Sequence, residues 1–415
     1  MTTTSRRTGV WVAAVVLALV GAIGVLVGSR DTGSRGAAVP EPTATNDPQT
    51  QRAADAESAL FAVEQAVADA DRQAFTNAFD PGAESRAAGF YSMLRRLPLS
   101  TYTLRFVSPA GGSTGTADRW AADVEARWAI DGYDERPVST EVRVTFTGEG
   151  DDTRVVDIAR STGERIPEWL LGQASVRKAG SALVISANPR LTERIDAQAR
   201  RAVDDVQDVV TDWPGRLVVV VPRDAAQLEG VLASEPGHYD EIAAVTTTAD
   251  DASDADAPVR IVLNPAVYQD LGTTGSQVVL SHEATHAATG AAATDAPLWL
   301  VEGFADYVAL VDAPVSVEVA ASQIIGQVRK SGVPKQLPSK DDFATRSGRL
   351  GASYEAAWLV CRMVADQRGE AALLRLYESA LESGDVDAAL ADTLDSDVPM
   401  LTRQWRDYLG ELAGD

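Results

Sequence analysis

The 415-residue chain contains three histidines, and two of them stand four residues apart. His282-Glu283-Ala284-Thr285-His286 reads as HExxH. On a helix, positions i and i+4 share a face, so His282 and His286 can offer ring nitrogens to one metal ion with Glu283 beside them. A zinc ion in a hydrolytic site takes three protein ligands and keeps one position open for water. With two supplied by the histidines, Glu302, after fifteen intervening residues, is the best candidate for the third. Such an ion would acidify its water and polarise a carbonyl, and Glu283 would take the water's proton and pass it to the leaving amine. Asp306, one turn after Glu302, can accept the remaining N–H of a ligand histidine and fix its tautomer. The alternatives are ordinary surface histidines and a solvated acidic helix face. Trp299, Leu300 and Phe304 make the second a poor fit.

The elements around these residues must bring them together. A polar start at Gly272–Ser276 and a stop at Gly290 bound the HExxH helix. Asp295 is expected to cap the next helix, with Pro297 in its first turn and an end near Leu310. Upstream, short strands at Ala174–Arg177 and Ala182–Ser186 precede a long helix whose apolar face includes Ile195, Ala199, Ala202, Val203 and Val206. Leu217–Val221 reads as a central buried strand, 224–232 as a helix, and Ile242–Thr247 and Val259–Leu263 as further strands. Downstream, helices are expected over Val315–Lys330, Gly351–Gln367, Glu370–Glu382, Val386–Thr393 and Val398–Leu412. Cys361 falls on an apolar helix side and reads as an inert buried thiol. His238, in a Pro-Gly turn, reads as a surface residue. The four aspartates of Ala249–Ala257 lack EF-hand spacing and read as a solvated loop rather than a calcium site.

Before residue 163 the pattern changes. Residues 51–98 read as helical, and four period-two segments follow at Thr101–Val107, Trp120–Ile130, Val138–Phe146 and Arg154–Ala159. Turns at Gly111-Gly112, Asp131-Gly132 and Gly148-Glu149-Gly150 separate them. Clean alternation implies an antiparallel sheet covered on one face by the preceding helices, with Trp120 and Trp128 in its core. At the N-terminus, Arg6-Arg7 precede nineteen uncharged residues, Val10–Gly28, long enough to cross a bilayer. The chain is therefore expected to have a cytoplasmic segment (1–9), a transmembrane anchor (10–28), a linker (29–50), an α+β domain (51–162) and a larger domain (163–415). The larger domain would be extracytoplasmic, or secreted if the anchor is cleaved. A net charge of −23 excludes nucleic acid as a natural partner, and a single cysteine excludes an internal disulfide framework.

His282-Glu283-x-x-His286 followed by Trp299-Leu300-Val301-Glu302-Gly303-Phe304-Ala305 resembles the gluzincin metallopeptidases, the clan of thermolysin and the aminopeptidase N-type enzymes. The resemblance implies zinc on His282, His286 and Glu302, Glu283 as general base, and Asp306 in the place of the clan's acid four residues after the glutamate ligand. It also implies a tyrosine on a later helix that donates to the oxyanion, best matched by Tyr354. Val301 stands where aminopeptidases commonly have asparagine, and no Gly-x-Met-x-Asn segment precedes the motif. The implied form is thus the minimal peptidase MA-like domain, with Val259–Leu263 as the edge that pairs with an extended peptide. The element order of 51–162 resembles the cones of nuclear transport factor 2-like and SnoaL-like domains. The expected fold class is then α+β: a transmembrane helix, a cone-like domain, and a zincin-like domain with a small mixed sheet and a helical C-terminal half. The expected function is zinc-dependent hydrolysis of peptide bonds in a peptide or protein substrate. The alternative is a non-catalytic metal-binding surface module for a protein or cell-wall partner.

Overall fold

The computed structural model describes residues 48–110, 119–250, 252, 256–291, 294–344 and 349–414. Helices α1 (Pro48–Ala68), α2 (Arg72–Asn77) and α3 (Glu84–Arg96) precede strands β1 (Leu99–Pro109), β2 (Arg119–Ile130), β3 (Val138–Thr147) and β4 (Arg154–Arg160). These strands form an antiparallel sheet in the order β1-β2-β3-β4. Along β3, Val138, Thr140, Val142, Val144 and Phe146 are buried and the residues between them are half-buried, as the period-two pattern requires. Trp120 stacks on Phe146 with ring centroids 4.6 Å apart, so both tryptophans singled out in the sequence lie in this core.

The second sheet contains β5 (Ser175–Ala179), β6 (Ala182–Ser186), β7 (Leu217–Val221), β8 (Ala244–Thr248) and β9 (Val259–Leu263), in the order β5-β6-β7-β9-β8. Helix α4 (Thr192–Val209) connects β6 to β7, and α5 (Ala225–Val231) follows β7. The β6–β7 and β7–β9 pairs are parallel, and the outer two pairs are antiparallel. All five residues of β7 are buried, which is why that strand reads as a continuous apolar run. The edge beside α7 is β8. Strand β9 lies between β7 and β8, with Ile261 opposite both Val219 and Thr246, so the expectation that Val259–Leu263 offers a free edge is corrected.

The remainder is helical: α6 (Pro265–Tyr268), α7 (Thr273–Thr289), α8 (Leu298–Leu310), α9 (Val317–Ala320), α10 (Ser322–Ser331), α11 (Leu350–Arg368), α12 (Glu370–Ser383), α13 (Val386–Leu394) and α14 (Val398–Ala413). The single helix expected over Val315–Lys330 is two helices that break at Ala321. Pro297, not Asp295, is the residue before α8, and it supplies no side-chain cap.

The expected fold class needs a further correction. No helix among the described residues is long and apolar enough to cross a membrane. The most apolar site helix, α8, has 13 residues, about 20 Å at the α-helical rise and short of the ~30 Å hydrocarbon core. The longer helices α1, α4 and α11 all carry charged residues along their length. The segment 10–28 expected as an anchor lies outside the described residues, as do the Gly111-Gly112 turn and most of the 29–50 linker. The described fold is α+β without a membrane-spanning helix.

One buried ionic cluster ties the two sheets together. Arg260 on β9 makes a two-pronged pair with Asp134, Nη1–Oδ1 2.7 Å and Nη2–Oδ2 2.9 Å, while its Nε donates to Glu168. Asp134 lies in the β2–β3 connection and also accepts from the Ile130 amide. Glu168 accepts from the Trp128 indole at 2.9 Å. The Arg260 and Asp134 side chains are nearly inaccessible, so each charge depends on the other. Asp134→Ala should therefore lower unfolding stability by about 3–5 kcal/mol, read from the urea midpoint.

Candidate metal centre

The site is built on α7, α8 and α11. Polar contacts with α4 seat α7: Gln198 donates to the Ser276 hydroxyl at 2.6 Å, the Ser281 hydroxyl donates to Asp205 at 2.7 Å, and Gln277 donates to the Gln198 carbonyl oxygen at 3.2 Å. Gly290 terminates the helix in the left-handed conformation at φ 64°. Helix α8 is buried on nearly all sides, and its acids Glu302 and Asp306 face α7 rather than solvent.

His282 Nε2 and His286 Nε2 are 2.9 Å apart, and Glu302 Oε2 lies 3.2 Å from the first and 3.5 Å from the second. Ligand atoms on a tetrahedral zinc with bonds of about 2.0–2.1 Å are separated by about 3.3 Å, so this triangle has the right size. On its other side, His282 Nδ1 lies 2.8 Å from Asp306 Oδ1. With the Nδ1 proton donated to Asp306, the Nε2 lone pair points into the triangle. Glu302 Oε2 is buried without a hydrogen-bond partner among the described residues. Two imidazole nitrogens and one carboxylate oxygen thus converge on one buried point, a set that could hold a metal ion.

Electrostatics follow from this crowding. Burial alone would lower the His282 pKa, but Asp306 and then Glu302 raise it to about 10. Burial alone would raise the Glu302 carboxyl, but His286 and His282 hold it down at about 2. Glu283 is pushed up by burial, with the two histidines and Thr246 offsetting part of the effect.

Thr246, on edge strand β8, was not apparent as a site residue from the sequence. Its hydroxyl is 2.5 Å from Glu283 Oε2 and 3.0 Å from the Glu283 carbonyl oxygen. Glu283 Oε1 is buried without a hydrogen-bond partner among the described residues. Tyr354, on α11, packs beside the centre, its ring centroid 6.2 Å from that of His282 and 5.2 Å from that of Phe343. Tyr307 points elsewhere, its hydroxyl donating to Glu370 at 2.8 Å. Cys361 is buried, which pushes its thiol pKa up, and His238 is exposed against Tyr239. Asp250, from the aspartate-rich loop, pairs with Arg136 at 2.6 Å.

Gly303 follows the candidate ligand Glu302 because α8 and α11 meet there. A Cβ at this position would lie 2.4 Å from the Ala357 carbonyl oxygen and 3.0 Å from Cys361 Sγ. Beside Tyr354, Glu355 accepts the Ile324 amide at 2.7 Å and so caps the start of α10.

No protein-family model matches this chain, and no curated protein does. Solved structures that it resembles include M1 zinc metallopeptidases. The enzyme from Deinococcus radiodurans is 13% identical over 75% of this chain and 94% of its own, with a TM-score of 0.37. A variant of it bound to a Tyr-Ser-Ala substrate is 11% identical over the same shares, also with a TM-score of 0.37. A two-domain M1 zinc metallopeptidase variant bound to L-tryptophan is 14% identical over 63% of this chain and 59% of its own, with a TM-score of 0.35. Likeness this loose carries no functional argument, and none of these matches supports a cone domain over 51–162.

Two outcomes follow from the packing. Gly303→Ala should push α8 away from the α11 backbone and cost about 2–3 kcal/mol, visible as a lower urea midpoint. Burial raises Glu355 from its ordinary 4.5 to about 7, with the Ile324 and Gln323 amides pulling the other way. The folded protein therefore binds the extra proton between those values, and its stability falls as pH rises through that window. Glu355→Gln retains an acceptor for Ile324 and removes the titration. Its stability relative to wild type should improve by about 2–3 kcal/mol between about pH 5 and about pH 8 in urea denaturation.

Proposed function

We propose that this chain is a zinc-dependent peptidase in which His282, His286 and Glu302 hold the metal, Glu283 is the general base, Asp306 positions His282 and Tyr354 assists the oxyanion. The observation that carries this reading is the convergence of two imidazole nitrogens and one carboxylate oxygen on a single buried point, next to a second carboxylate that makes no bond to them. Zinc bound there would supply Lewis acidity, which brings a water's pKa toward neutrality and polarises a carbonyl.

The chain's own residues do the rest. Asp306 holds the Nδ1 proton of His282, so that Nε2 remains a donor of electrons and the ring cannot turn. The Thr246 hydroxyl holds one Glu283 oxygen and leaves the other, Oε1, to accept a proton from water and deliver it to the departing amine. Burial raises the Glu283 pKa, which suits it to keep that proton until the C–N bond breaks. Tyr354 would donate its hydroxyl proton in a hydrogen bond to the carbonyl oxygen as negative charge builds there. An extended peptide could add to the outer edge of β8, which carries no further strand among the described residues, and this would bring its backbone alongside Thr246 and Glu283. In this reading residues 163–415 form the peptidase unit and 51–162 an accessory unit.

Incubation of the zinc-loaded protein with a broad peptide library, read by mass spectrometry, tests the proposal. Wild type is expected to cleave. Glu283→Gln should retain about one zinc per chain and lose at least about a hundredfold in rate, whereas His286→Ala should lose the zinc. Zinc retained with no cleavage by wild type would favour the non-catalytic module instead.

A further inference from the structure

A cleft of about 1390 Å³ contains none of the residues discussed above as metal ligands or base. It lies between α3 on one side and β5 with the β6–α4 connection on the other. Arg72, Arg95, Arg96, Arg177 and Arg190 line it, with Glu193 as the single acid. This reverses the sign of the chain as a whole, which has 60 acidic and 37 basic residues.

The lining has five arginines to one acid, so its own carboxylates do not balance its charge. Several exposed arginines outside the cleft pair with carboxylates, as in Arg105–Glu125, Arg143–Asp123 and Arg201–Asp205, and others such as Arg368 and Arg403 stand apart from one another, whereas the cleft brings five together. In the cleft, Arg177 pairs with Asp196 and Arg96 donates to the Ala174 carbonyl oxygen. The guanidinium groups of Arg72, Arg95 and Arg190 have no partner among the described residues. Helix electrostatics do not account for them either. Arg95 suits the C-terminal turn of α3, but Arg190 stands just before the N-terminus of α4, where a cation opposes the helix dipole.

We infer that this cleft binds an oligophosphate, a ligand with several phosphate groups along a chain. Each guanidinium is a planar fork that can take two oxygens of one phosphate, and three such forks are free. The volume exceeds the roughly 300–1,000 Å³ of a typical small-molecule pocket, so a single phosphate would leave most of it empty. Tyr91 is the one aromatic residue in the lining and is only 9% exposed, so the cleft offers no platform on which nucleobases could stack. The recognised chemistry is phosphate without bases.

Isothermal titration of the full-length protein with inorganic tripolyphosphate at low salt tests this independently of any peptidase activity. Saturable binding is expected, weakened at least about tenfold by the double substitution Arg72→Glu and Arg190→Glu. The same charge change at Arg368 and Arg403, exposed residues outside the cleft, should leave binding within about twofold. Arg95→Gln, a milder exposed change, should weaken it as well. No saturable binding would overturn the inference, as would equal weakening by the control pair. So would equally tight binding of polyglutamate or of an oligothymidylate, which would remove phosphate or base-free selectivity.

Discussion

Three electron-pair donors aimed at one buried point is the constraint on which the rest of this structure depends. Two imidazole nitrogens and a carboxylate oxygen repel one another unless positive charge lies between them, and burial denies them water as a substitute. The surrounding architecture holds them against that repulsion. Four-residue spacing on α7 puts both histidines on one face, Asp306 pins one ring from behind, and Gly303 lets α8 approach α11 closely enough to deliver Glu302. All three of these atoms come from helices packed on each other, and rigid elements hold such a constellation more precisely than loops do.

Glu283 is held from the other side, by the sheet. Thr246 reaches Glu283 from edge strand β8, and β8 is held by its pairing with β9. One residue from Ile261, the partner of Thr246, Arg260 turns into the buried cluster with Asp134 and Glu168. A second tie, Arg136 to Asp250, reaches the chain just past the end of β8. The hairpin between β2 and β3 therefore grips β9 and the end of β8, the strand that carries the Glu283 contact. This connects the first sheet to the site by ionic contacts, without placing any of its residues there.

Much of this was legible in the sequence. His282, Glu283 and His286 are close because of helix periodicity, and Glu302 and Asp306 share a face for the same reason. The buried apolar run of β7 and the alternation along β3 gave both strands away. The contacts that could not be read are those made across the fold. Thr246 is 37 residues from Glu283, and residue spacing does not reveal strand order in a mixed sheet, so the expected edge, β9, differs from the observed one, β8. The Arg260–Asp134 pair spans 126 residues, and each partner alone looks like an ordinary surface charge. Gly303 could be seen, but its reason is an approach between α8 and α11 that only the packed structure displays. Pro297 displaced Asp295 as the residue before α8 because the helix begins immediately after the proline.

Diffraction at the zinc absorption edge from crystals of the zinc-loaded protein tests the convergence most directly. The expected result is one anomalous peak about 2.0–2.2 Å from Nε2 of His282, Nε2 of His286 and a carboxylate oxygen of Glu302, with Nδ1 of His282 still bonded to Asp306. A peak elsewhere, or zinc-loaded crystals in which these three side chains hydrogen-bond to one another with no peak between them, would contradict it.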